Sequence, residues 1–96
     1  MIVRLLSPAL RELEEATLYY ESRREGLGAE FADEFDRSIA AILDAPTRWP
    51  ASDKQTRRYR MDRFQYSIFC GLHGDEIVIV AVSHPSRQTN YWVDRI

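Results

Sequence analysis

The chain changes its hydrophobic period near the middle. Before residue 45, apolar side chains recur at three- and four-residue steps; after residue 56 they alternate or run on unbroken. Residues 2–6, IVRLL, are a short aliphatic and β-branched run that predicts a strand. Ser7 and Pro8 follow, a hydroxyl suited to N-capping and a proline suited to the first helical turn, and they open a helix predicted to about residue 25. Leu10, Leu13, Thr17 and Tyr20 make its apolar face, widened by Ala9 and Ala16, while Glu12, Glu14, Glu15, Glu21, Arg23 and Arg24 fill much of the rest. Gly26 and Gly28 supply the stop. A second helix, predicted over 29–44, carries Phe31, Phe35, Ile39 and Ile42 on one stripe, with Asp33 and Arg37 spaced for an ion pair and Pro46 beyond its end. The connection is so short that the two helices should fold back as an antiparallel hairpin.

After a loop at 47–55 the period becomes two. Residues 57–61 alternate, with Arg58 and Arg60 on one face and Tyr59 and Met61 on the other. Residues 66–72 predict a second strand, His73, Gly74 and Asp75 a tight turn, and residues 76–82 a third strand. That third strand, EIVIVAV, is apolar at every position after Glu76, so it belongs in the middle of a sheet with both faces covered. The helices can cover one face; something else must cover the other. The expected fold class is α+β: a strand, an antiparallel helical hairpin, then a three-stranded antiparallel meander, in the order β-α-α-β-β-β.

Length adds that residues 1–96 form a single domain, large enough for one core. Cys70 is the only cysteine, which rules out an intramolecular disulfide and a cysteine-based zinc site, and its apolar setting, SIFCGL, reads as a small core filler. No metal or cofactor is expected, because no phosphate-binding glycine loop, HExxH or serine-hydrolase elbow is present. The amino terminus lacks the pattern of a signal peptide, and the longest apolar run, 77–82, is far short of a bilayer span; the chain is expected to be cytoplasmic, with no membrane partner.

Charge is uneven. Residues 1–50 hold six Arg against ten acids, and residues 51–96 hold seven Lys+Arg against five acids. Lys54, Arg57, Arg58, Arg60 and Arg63 face only Asp62 within ten residues. Two arginines on one strand face can grip phosphates or carboxylates bidentately; the same pair can also be edge charges that discourage sheet-to-sheet pairing. The tail, SHPSRQTNYW, offers a second constellation. His84 can serve as a general base on a ribose hydroxyl, Arg87 or Arg60 can stabilise a developing phosphorane charge, and Tyr91 can stack on a base. The structural alternative has His84 bonding its own turn and Tyr91 with Trp92 plugging the sheet face, which is the usual work of large aromatics in a small domain.

Taken in order, SPALRELEEA, YYE, GLGAEF, PTRWP, RRYR, the AVSH strand end and the RQTNYW tail resemble the RelE/ParE superfamily, toxins of type II toxin–antitoxin modules often described as plasmid-stabilisation proteins. The resemblance covers essentially the whole chain. One departure is Thr89, where the family pattern has a proline. The resemblance implies the architecture above and a cognate antitoxin whose flexible segment wraps the toxin, covers the apolar sheet and sets acidic residues against Arg57, Arg58, Arg60, Arg63 or Arg87. It also implies growth arrest by one of two routes. The ParE branch inhibits DNA gyrase or another essential protein; the RelE branch cuts mRNA on the ribosome, and the nuclease reading would use His84, Arg87, Tyr91 and Arg60, with Arg58 beside them. Net charge of −2 with a single Lys favours the ParE route, since ribosome-directed nucleases are strongly basic. A degenerate member that binds its antitoxin and poisons nothing is a third reading.

Overall fold

The computed structural model describes residues 1–51 and 55–96. Lys54, one of the charges in the basic segment, lies outside the described residues. The elements follow the expected order: β1 (Ile2–Leu5), α1 (Ser7–Arg23), α2 (Leu27–Asp44), β2 (Thr56–Arg60), β3 (Ser67–His73) and β4 (Glu76–Ser83), with a 3-10 turn at Val93–Arg95. β2, β3 and β4 form the antiparallel meander. β1 adds to it in a way the local pattern did not foretell. It pairs parallel to β4, Ile2 beside Glu76 through Leu5 beside Ile79, so the sheet order is β1-β4-β3-β2 and the sheet is mixed. β4 is thereby central, as its unbroken apolar run requires.

The helical hairpin packs on one face. Phe31, Phe35 and Ile42 of α2 meet Ile68, Cys70, Ile77, Ile79 and Val82 of the sheet, and Tyr20, Phe31, Phe64 and Tyr66 form an aromatic group, edge-to-face except for the tilted Tyr20–Phe31 pair. Cys70 is buried there, and burial pushes its thiol up to about 11, the signature of a filler.

Details of the hairpin differ from expectation. Ser7 is itself helical and makes no capping bond; Leu6 occupies the cap position. The buried stripe of α1 is Ala9, Glu12 and Ala16, and Leu10 is 45% exposed. Asp33 and Arg37 are not among the ion pairs of the described residues. Gly26 turns the chain with φ 87°, but Gly28 lies inside α2 for another reason. A Cβ there would sit 2.7 Å from the Thr17 carbonyl oxygen and 2.9 Å from Glu21 Oε1, so glycine lets the two helices touch. Glu21 then accepts from the Gly26 and Gly28 amides at 3.0 Å each, neutralising the amino end of α2.

A bulge decides which side chains reach the second face. Cys70 pairs with Ile79 and Phe69 with Ala81, leaving Val80 as an additional residue in β4. Alternation slips by one at that point. Val78, Val80 and Ala81 therefore turn away from the helices, and Val82 turns back toward them. The second face is covered by the chain's own tail: Trp92, 2% exposed, lies against Phe69, Val80 and Ala81, its ring 5.0 Å from that of Phe69. Trp92 thus plugs the sheet face, as the structural alternative had it, and the central strand is covered without the antitoxin that the resemblance implied for this role.

Candidate functional site

Arg58 and Arg60 stand opposite Phe69 and Ser67 on the face away from the helices, as the alternation predicts, and both are exposed. Arg58 Nε donates to Ser67 Oγ at 2.9 Å, which fixes its guanidinium beside the tail. Arg57 projects to the other face, where its guanidinium donates to the carbonyls of Thr47 and Trp49 and ties down the loop after α2. Arg63 lies in the β2–β3 turn, paired at 2.6 Å with Glu30, whose carboxyl is held below its ordinary value chiefly by the Arg63 hydrogen bond. The five arginines of interest thus do not form one patch. Arg58, His84, Arg87 and Tyr91 share a cleft of about 280 Å³ between the second face and the tail; Arg60 and Arg63 are not among its walls.

Within that cleft the tail residues are already engaged. His84 Nδ1 accepts from the Ser86 amide at 3.0 Å and contacts Ser86 Oγ at 2.7 Å, so neutral His84 carries its proton on Nε2. In this arrangement the ring's acceptor nitrogen, Nδ1, faces its own turn. The Tyr91 hydroxyl donates to Glu12 Oε2 at 2.7 Å; burial first, then the Glu12 contact, raises its pKa. Arg87 lies 3.9 Å over the Tyr91 ring and 3.6 Å from Glu12 Oε2.

Glu12 is the hub that the sequence pattern concealed. It is 8% exposed, and it accepts from the Val82 amide at 3.0 Å and from Arg95 Nη1 and Nη2 at 2.8 and 3.0 Å, besides Tyr91. Arg95 also donates to the Val80 carbonyl at 3.0 Å. β1 ends opposite Ile79, so Glu12 supplies the acceptor that a longer β1 would have given Val82. Burial pushes the Glu12 carboxyl up, but the hydrogen bonds of Arg95, Tyr91 and Val82 with the Arg95 charge outweigh it and hold the carboxyl below 4.5. The spacing 9, 12, 16 was the available signal, since it puts Glu12 in line with two small residues that allow close approach.

A family model described as the ParE toxin of the type II toxin-antitoxin system, parDE, matches residues 3–89. The chain belongs to the ParE toxin family. A solved structure described as the chromosomal ParDE TA system from P. aeruginosa is similar in fold, with a TM-score of 0.74 over 88% of this chain and 95% of that one, at 15% identity. No curated protein gives a match. The ParE-type toxin has, among the described residues, no group of three or more His, Cys, Asp or Glu placed to hold a metal ion, and no helix long and apolar enough to cross a membrane. His73 and His84 lie at opposite ends of β4.

Proposed function

We propose that this ParE-type toxin arrests growth by binding DNA gyrase or another essential protein, and that a cognate antitoxin neutralises it. One observation carries the preference for binding over RNA cleavage: the acid–base candidates of the tail are tied into a structural network. Tyr91 and Arg87 serve Glu12, and His84 serves its own turn. Exposed Arg58 and Arg60, side by side on β2, offer a place for acidic residues of the antitoxin. The nuclease reading keeps one support, that Arg58, His84, Arg87 and Tyr91 line a common cleft.

The test is expression in a bacterial host without the antitoxin, followed by assays on purified protein. Filamentation with a DNA-damage response and loss of gyrase supercoiling are the expected results. Immediate arrest of translation, with mRNA cut on programmed ribosomes, overturns the proposal in favour of the nuclease. Unimpaired growth with intact antitoxin binding overturns it in favour of a non-toxic member.

A further inference from the structure

Between α1 and the segment after β4 lies a second cleft, of about 400 Å³, distinct in chemistry from the basic face. Ala16 and Val82 form its floor, and Tyr19, Tyr66 and His84 are its aromatic walls. Two carboxylates line it, and they differ. Glu12 is saturated by the donors already described. Glu15 is exposed and has no ion-pair partner among the described residues.

Tyr66 points independently to a ligand. Its side chain is nine-tenths buried, at 8% exposure, and its ring packs 5.3 Å from His84. Its hydroxyl makes no hydrogen bond to the described residues, yet no buried side-chain N or O lacks a partner, so this oxygen opens into the cleft. Burial raises its pKa most, and among the acidic groups that add to the shift Glu12 and Glu15 are the ones ionised at neutral pH. Arg87, the positive lining residue, is taken up by Glu12 and the Tyr91 ring.

We infer that this cleft takes an arginine or lysine side chain from a protein partner. Methylenes lie along Ala16, Val82 and the tyrosine rings, and the cationic head reaches Glu15 and the Tyr66 hydroxyl. The volume is at the small end for ligand pockets and suits one long side chain. Tyr19, 50% exposed, gives apolar surface in the cleft that a docked polypeptide would cover. The inference rests on the reading that the chain works by docking polypeptides.

The test is NMR titration of the purified chain with N-acetyl-arginine-methylamide, using the blocked norleucine and glutamate analogues as controls. Saturable shifts at Ala16, Tyr19, Tyr66 and Val82 are expected with the arginine compound alone. Glu15→Gln should weaken binding about fivefold and Tyr66→Phe about tenfold, with thermal melts showing that both variants stay folded. Equal response to norleucine, a response to glutamate, no saturable response, or indifference to Glu15→Gln overturns the inference. Gyrase inhibition is read separately, so an empty cleft with inhibition intact rejects only the cleft, and the reverse rejects only the target.

Discussion

Glu12→Gln keeps the shape of the side chain and removes its charge. Oε1 accepts from the Val82 amide and Arg95 Nη1; Oε2 accepts from the Tyr91 hydroxyl and Arg95 Nη2. A carboxamide has one acceptor oxygen. Its best orientation keeps that oxygen toward Val82 and lets the Tyr91 hydroxyl rotate to accept, but the NH2 group then meets Arg95 Nη2. One charged hydrogen bond is lost, about 1.5–3 kcal/mol. Glu12→Ala abandons all the donors and costs about 3–5 kcal/mol, a large part of the roughly 5–15 kcal/mol that holds a domain together. Urea denaturation followed by circular dichroism measures both. A double-mutant cycle with Arg95→Met should return a coupling of at least about 1 kcal/mol. If Glu12→Ala unfolds within about 0.5 kcal/mol of the parent, as an ordinary surface position does, the hub does not exist. The pH dependence gives a second check. The folded-state pKa of Glu12 lies below 4.5, so the unfolded chain binds the proton more readily and this contribution is lost as pH falls below 4.5 through the folded value. The gap between parent and Glu12→Gln should therefore be full at neutral pH and narrow below 4.5.

Other outcomes follow from the same geometry. Gly28→Ala should destabilise by about 1–3 kcal/mol, read as a lower Tm, because the new methyl meets backbone at Thr17. Trp92→Ala should cost about 3–5 kcal/mol and expose Phe69, Val80 and Ala81 to a hydrophobic dye. Parent and His84→Ala should be equally inactive in an RNA-cleavage assay on programmed ribosomes, since His84 Nδ1 is engaged by its own turn; cleavage by the parent that His84→Ala abolishes with the fold preserved would return His84 to the catalytic candidates.

Much of this molecule was legible in its residues because the signals were local. The helix stripes, the two-residue alternation that set Arg58 and Arg60 apart from Tyr59, and the apolar run of β4 each occupy a few consecutive turns or strand residues. What escaped depends on partners far along the chain. The β1–β4 pairing joins residues more than 70 apart, and nothing in IVRL specifies its direction. Glu12 resembled Glu14 and Glu15 because its burial comes from Arg95 and Tyr91, 83 and 79 residues away. Arg57 seemed to belong with Arg58 until the loop carbonyls of Thr47 and Trp49 claimed it.

The position of β4 also governs when the molecule can come into being. As the seam between β1 and β3, it holds both halves of the sheet, so a fragment cut before residue 76 leaves β1 without a neighbour. Assembly includes a contact between distant ends of the sequence, and non-local pairing of this kind slows folding. A protease that clips this strand in the unfolded chain would disarm the whole protein at one stroke.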